Sequence, residues 1–306
     1  MYKNRLIQDW RPGNFLQESV VDKGILYIVA TPIGNTGDIS ARALEVLASV
    51  DLVAAEDTRH SGKLLKHLGV TTMLKAYHDF SDAGAEKYLL GLLGSGKSIA
   101  LISDAGTPLI ADPGYRLVLA ARQAGFEVLP VPGPSALLAA ISVAGLPTDR
   151  FAFEGFLPAK EVARNKQLKA LKDEARTLIF YEAPHRLKQS LQSLHDEFGA
   201  TRRIFIAREM TKRFEEHFCG DLAQSLDWLE SNENAERGEL VLVVAGQAVQ
   251  DETDENLASA MRLFSLLRED LSLKRAVAIA AEYCGVRKNE LYERALAAEA
   301  SKDGKM

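Results

Sequence analysis

Three stretches of the chain concentrate residues able to hold a small polar ligand: ATPIGNTGD (30–38), SDAGTPLIADPG (103–114) and VPGPSALLAA (131–140). Each combines glycine or proline with a small hydroxyl or an acid, which lets backbone amides and carbonyls approach a ligand closely. One such loop is adequately explained as a tight turn; three of them, each ending an apolar run, argue for a binding cleft. In the second, Asp104 has the small neighbours Ser103, Ala105 and Gly106. Its carboxylate can receive a ligand's amine or hydroxyls, or it can cap the next turn through its own backbone.

A fourth stretch, GLLGSGKS (91–98), fits the phosphate-loop pattern G-x-x-x-x-G-K-[ST]. That loop works only where a strand enters it and a helix leaves it, so that helix N-terminal amides face the phosphates. Here a helical pattern precedes and the strand-like IALIS follows, the reverse order. Gly94 and Gly96 therefore read as a helix stop and Lys97 as a solvated turn residue. The first loop does not spell G-x-G-x-x-G, which weakens a dehydrogenase, and there is no G-x-S-x-G nucleophile elbow. Cys219, Cys284 and six scattered histidines show neither C-x-x-C nor H-x-x-x-H spacing, so no metal site is expected.

The loops need a frame to bring them together. ILYIVATP (25–32), LVAAED (52–57), IALISDAG (99–106) and FEVLPVPG (126–133) read as buried strands. Between them ISARALEVLASV, DAGAEKYLLGLL and PGYRLVLAARQAG carry helical spacing, so an α/β domain with a mainly parallel sheet is expected over 24–147. After LPTDRFAFEGFLP (146–158) a second series begins with the basic helix KEVARNKQLKALKDEA and continues through the strand RTLIFYEAPH, the helix RLKQSLQSLHDEFG, and the strands RRIFIARE, EEHFCG and GELVLVVAG. This predicts a second α/β domain over 148–246. An acidic linker, QAVQDETDE, then leads to three helical patterns joined by short turns, a helix-turn-helix-like unit over 256–300.

The 306 residues, 47% hydrophobic and 26% charged, suffice for these domains, and the net charge of −5 gives no global basic field. Any polyanion must be met locally. Between Lys160 and Arg213 there are 13 Lys or Arg against 7 Asp or Glu, with Arg202, Arg203, Arg208, Lys212 and Arg213 around one strand. Such a basic face suits RNA phosphates, although a solvated helix face explains the helical part as well. Residues 1–23 read as an N-terminal extension without a signal-peptide core, and no stretch is apolar enough to span a membrane, so the expected compartment is the cytoplasm.

Taken together, ATPIGN, AAEDTRHSGKLL, SDAGTPLIADPGY, PGPSALLAA, LPTDRFAFEGFLPAK and FYEAPHRL resemble the ribosomal RNA small subunit methyltransferase I family, a branch of the tetrapyrrole methylase-like, class III S-adenosylmethionine-dependent methyltransferases. The resemblance covers roughly residues 24–300. It implies a two-domain α/β enzyme with a small all-α C-terminal unit, S-adenosylmethionine in the cleft between the α/β domains, and a homodimer. The implied reaction is methylation of the ribose 2'-hydroxyl of a cytidine in the decoding region of 16S ribosomal RNA, with no metal. By motif, Ile33, Ser103, Asp104, Thr107, Ser135 and Ala136 are the implied cofactor contacts, joined by Glu182 in FYEAPHR and by Met210 just past the strand IFIARE. Two positions depart from the wider superfamily: Ile33 stands where proline is common, and Glu182 where an apolar residue is.

A methyl group on a sulfonium needs no further activation. The enzyme must align the acceptor and help remove its proton. Candidates at the cleft mouth are Glu182, Arg186, Glu209 and Lys212, each of which could equally serve in a surface ion pair. Two rival readings are a tetrapyrrole C-methyltransferase, which needs neither basic face nor tail, and a non-enzymatic nucleic-acid-binding regulator, which leaves the three loops without a purpose.

Overall fold

The computed structural model describes residues 24–78, 83–247 and 252–303; the extension 1–23 and residues 248–251 of the acidic linker lie outside the described residues. The first half is a five-stranded sheet of β1 (Ile25–Val29), β2 (Leu52–Ala55), β3 (Leu74–Ala76), β4 (Ile99–Ile102) and β5 (Glu127–Val131), in the order β3-β2-β4-β1-β5. Every pair is parallel. Parallel strands need crossovers, which α1 (Ala41–Ser49), α2 (Thr58–His67), α3 (Ala83–Gly94) and α4 (Tyr115–Gln123) supply.

Helices cover both faces. Leu26, Leu52, Ala54, Ile99 and Leu101 pack with Leu89, Leu93, Leu117 and Ala121, while their strand neighbours Val29, Val53, Ala55, Ala100 and Ile102 pack with Ala43, Leu47 and Leu65. Burial on both faces is why these strands read as unbroken apolar runs. The turn after α3 enters β4, with Gly96 at φ +82° and Lys97 exposed, so the GLLGSGKS stretch is a helix end as its order predicts.

The second sheet contains β6 (Phe151–Phe156), β7 (Thr177–Glu182), β8 (Arg203–Arg208), β9 (Glu216–Asp221) and β10 (Leu240–Val244), in the order β6-β7-β10-β8-β9. Only β6 and β7 pair in parallel; the other three pairings are antiparallel. On one face Leu178, Phe180, Ile204, Ile206 and Leu242 meet α6 (Glu161–Leu171), α7 (Leu187–Phe198) and α8 (Leu222–Ser231) through Leu168, Leu191, Leu194 and Leu222. The other face is covered by a helix from the first half. α5 (Ala136–Val143) places Leu137, Ala140 and Ile141 against Ile179, Phe205, Val241 and Val243. The stretch VPGPSALLAA is therefore a loop only as far as Ser135, and its apolar remainder is a helix that joins the two sheets.

Four further elements, α2, β3, β6 and α8, arise where no sequence pattern was singled out, α8 on the capping box of Asp221 and Gln224. α2 starts on the Asp57 N-cap, whose carboxylate accepts from the amides of Arg59 (2.7 Å) and His60 (3.4 Å). β3 is a three-residue edge strand, and β6 is half-exposed and broken in register around Gly155.

Residues Lys172–Arg176 and the chain from Gly246 onward form a second compact unit, separate from the unit that holds both sheets. The basic helix expected over 160–175 ends at Leu171 accordingly. In the second unit α9 (Glu252–Leu267), α10 (Leu273–Cys284) and α11 (Lys288–Asp303) enclose a core of Leu257, Phe264, Val277, Ala280 and Leu291. Gly285 ends α10 at φ +66°, a left-handed conformation that glycine adopts without a Cβ penalty.

Candidate active site at the strand ends

Because β4, β1 and β5 are adjacent and parallel, the three singled-out loops leave the same edge of the sheet. They are stitched together there. The Thr31 amide donates to the Gly106 carbonyl (2.8 Å) and the Gly106 amide to the Thr31 carbonyl (3.0 Å). The Thr31 hydroxyl donates to the Ser103 carbonyl (3.3 Å), and the Thr107 hydroxyl to the Pro134 carbonyl (3.0 Å). Gly106 sits at φ +79°, and a Cβ there would lie 3.3 Å from Ile33 Cγ2, so a side chain would press on the pocket wall.

The loops form one wall of a cavity of about 380 Å³, within the range of small-molecule sites. Ile33, Asp104, Thr107, Ser135 and Ala136 line it from the first half; Tyr181, Glu182, Met210, Leu240 and Val241 line it from the second. Ser103 is the one expected cofactor residue that does not. Its hydroxyl is within hydrogen-bond reach of the Ala105 carbonyl, at 3.2 Å, and of the Asp112 carboxylate, and can donate to either. Of the expected catalytic set only Glu182 lines the cavity; Arg186, Glu209 and Lys212 do not. Asp112, Phe156 and Glu239 line it without having been singled out.

Asp104 Oδ1 accepts the Asp57 amide at 3.2 Å, so its carboxylate bridges to the end of β2 rather than capping its own turn. Ser135 is the N-cap residue of α5 yet makes no side-chain capping bond, which leaves its hydroxyl to the cavity. Tyr181 fixes the start of that helix by accepting the Leu137 amide at 3.3 Å, and its ring stands edge-on to Phe153 and Phe156.

The other candidate catalytic groups are committed to partners. The Glu182 side chain is fully buried; it accepts from the Ser190 hydroxyl and the Ala183 amide (2.8 Å) and lies 3.5 Å from Arg186 Nε. Arg186 donates in turn to the Leu157 carbonyl. Lys212 Nζ is 2.8 Å from Glu209 and 3.2 Å from Glu239. Burial opposes both charges of the Glu209–Lys212 pair. Their mutual hydrogen bond and the Glu239 contacts outweigh it, holding Glu209 below and Lys212 above their ordinary values. A lysine so held stays protonated and does not act as a base at neutral pH.

The basic cluster around β8 is likewise reduced. Arg202 and Arg208 are buried: the first donates to the Ala245 carbonyl and lies over the Phe198 ring, the second pairs with Glu216 at 2.9 Å. Arg164 of the basic helix is buried as well, donating to the Ser193 hydroxyl at 2.9 Å. Arg203 and Arg213 remain exposed, Arg213 over the exposed ring of Phe214.

Among the described residues no group of His, Cys, Asp or Glu is arranged to hold a metal ion, and no helix is long and apolar enough to cross a membrane. A family model described as tetrapyrrole (corrin/porphyrin) methylases matches residues 25–225, and one described as the RsmI C-terminal HTH domain matches 254–299. Among solved structures, uroporphyrin-III-C-methyltransferase from Thermus thermophilus superposes with a TM-score of 0.52 at 22% identity, covering 73% of this chain and 94% of its own. The methyltransferase CobJ gives 0.56 at 18% identity, covering 74% and 95%. The two sheets with a cavity at the strand ends thus have the fold of the tetrapyrrole methylase class of methyltransferases.

Ribosomal RNA small subunit methyltransferase I of Pseudomonas aeruginosa is 53% identical over 273 residues, covering 89% of this chain and 97% of its own. The protein of that name from Synechocystis sp. is 46% identical over 280 residues, covering 90% and 99%. The chain belongs to the ribosomal RNA small subunit methyltransferase I family.

Proposed function

We propose that the protein transfers the methyl group of S-adenosylmethionine to the ribose 2'-oxygen of a cytidine in the decoding region of 16S ribosomal RNA. The observation that carries this reading is the near full-length match, 53% identical, to a relative named for small-subunit ribosomal RNA, joined to a cavity built like a small-molecule site. The cavity suits the donor chemically. Apolar Ile33, Ala136, Leu240 and Val241 suit a flat adenosyl group, and Asp104, Thr107 and Ser135 suit ribose hydroxyls and an ammonium. When bound, the donor supplies a methyl carbon already activated by sulfonium charge.

What the chain adds is placement. Phe156 and Ile110 line the cavity and are partly exposed, 51% and 38%, as a surface receiving an extruded nucleotide must be. Arg213 with Phe214 offers a cation and a stacking ring beside it in sequence, and Lys274, Arg275, Arg287 and Lys288 are exposed on the helical unit. These groups suit single-stranded RNA, where phosphates and unstacked bases are met together. The same reading places the enzyme in the cytoplasm as a homodimer, acting on the small subunit.

Incubation with labelled S-adenosylmethionine and 30S subunits, digestion to nucleosides and mass spectrometry test the assignment. Label on a cytidine ribose is expected. Label confined to a base, or found on a porphyrinoid and absent from RNA, overturns it.

A further inference from the structure

Each catalytic candidate named from sequence has a committed partner, which leaves the acceptor's proton without a destination. Of the lining carboxylates, Asp104 and Asp112 are the two without an ion pair among the described residues, and Asp104 is held by the Asp57 amide. The groups facing Asp112 are the Ser103 hydroxyl, the carboxylates of Glu56 and Asp104, and Tyr181. The chain is bent to put it there. Leu109 and Ala111 are both left-handed, at φ +73° and +65°, conformations that cost a non-glycine residue roughly 1–3 kcal/mol each. They fold the loop back on itself, so that Asp112 returns to Ser103 at the end of β4. Gly114 follows at φ +131°, where a Cβ would lie 2.7 Å from Leu101 Cδ2, so the return is tightly packed.

Resting on the proposed function, we propose that Asp112 is the catalytic base that takes the proton of the ribose 2'-hydroxyl. The hydroxyl oxygen forms its bond to the methyl carbon with a lone pair, its proton passes to the Asp112 carboxylate, and the electron pair of the S–CH₃ bond returns to sulfur. A cation, an alcohol and a carboxylate become a thioether, a methyl ether and a carboxylic acid, so charge and atoms balance. The surroundings fit the task. Burial, with repulsion from Glu56 and Asp104 and against the Ser103 hydrogen bond, raises the Asp112 carboxyl to about 6. A base is most effective when its pKa lies close to the working pH.

The test compares Asp112→Asn, Asp112→Glu and Ser103→Ala with the parent. In Asp112→Asn single-turnover methylation of 30S subunits falls about 100- to 1,000-fold, in the range of one lost general base. Its calorimetric affinity for S-adenosylhomocysteine falls far less than the rate does. The parent rate declines below pH of about 6; that acid limb survives in Asp112→Glu, and in Ser103→Ala, which loses the bond stabilising the charged form, it moves to higher pH. One readout needs no turnover. The folded state holds the Asp112 proton between the ordinary value of 3.8 and about 6, so this group's contribution to stability declines as pH rises through that window. The Tm gain of Asp112→Asn over the parent therefore grows from pH 4 to pH 7. A parent enzyme that labels no ribose overturns the proposed function and the assignment together. Ribose labelling at parental rate in Asp112→Asn, or a loss explained wholly by cofactor affinity, overturns the assignment alone.

Discussion

The Asn35 amide donates to the Thr211 hydroxyl at 3.2 Å, fastening the first strand-end loop of one sheet to the β8–β9 hairpin of the other. The fit is close on both sides. A Cβ on Gly34 would fall 2.3 Å from Lys212 Cγ and 3.1 Å from the Met210 carbonyl oxygen, and the hairpin itself is held with Glu209 and Thr211 left-handed, at φ +53° and +65°. Substitution Gly34→Ala is expected to push the hairpin off the loop, and Met210 with it. Affinity for S-adenosylhomocysteine then drops about tenfold, ~1.4 kcal/mol. Calorimetry on the folded variant checks this, and parental affinity would show that the hairpin does not shape the cavity.

Asp104 lies between the cavity and the Asp57 amide. Asp104→Ala removes both contacts. Cofactor affinity is expected to fall by about 1.5–3 kcal/mol, the worth of a charge-assisted hydrogen bond, while circular dichroism stays native. Asp104→Asn keeps an acceptor for the Asp57 amide and separates the two roles: it retains stability and loses affinity.

Glu182 and Arg186 are expected to act on the fold. Their ion pair is buried, and removing one partner leaves the other charge uncompensated, at a cost of about 3–5 kcal/mol. Glu182→Ala is expected to lose that stability in denaturant unfolding. Glu182→Gln, which keeps the acceptor for Ser190, is expected to lose less. If Glu182→Ala unfolds at the parental midpoint yet is catalytically dead, Glu182 belongs in the chemistry after all.

The exposed Lys274, Arg275, Arg287 and Lys288 stand at the ends of α10 and α11. Charge reversal at these positions is expected to raise KM for 30S subunits and reduce the slope of log K against log salt by about one unit per lost phosphate contact, leaving cofactor affinity intact. Truncation after Gln250 tests the whole unit. Unchanged kinetics on the subunit would leave the tail a purely structural role.

Sequence alone determined the elements whose burial is uniform. β2 and β4 are buried at every position and each is an unbroken apolar run, while β1 and β5 bury Leu26, Val29, Val128 and Val131 on the two faces; the alternation of these strands with helical patterns implies the parallel sheet that brings Ile33, Asp104 and Ser135 to one edge. Elements set by their neighbours escaped it. α5 is apolar because it crosses to the second sheet, and β6 is an edge strand interrupted by glycine, so neither shows the period of its class. Charge was the least legible property. Arg164, Arg202 and Arg208 read as a basic face, but Arg164 and Arg202 find Ser193 and Ala245 only after distant segments pack, and Arg208 finds Glu216 once the β8–β9 hairpin sets its register. Nothing in the sequence marks Asp112, an aspartate before a proline. Its setting comes from two left-handed residues that fold its loop back toward Asp104 and from the carboxylate of Glu56 beyond β2, a matter of distances in space that spacing along the chain does not encode.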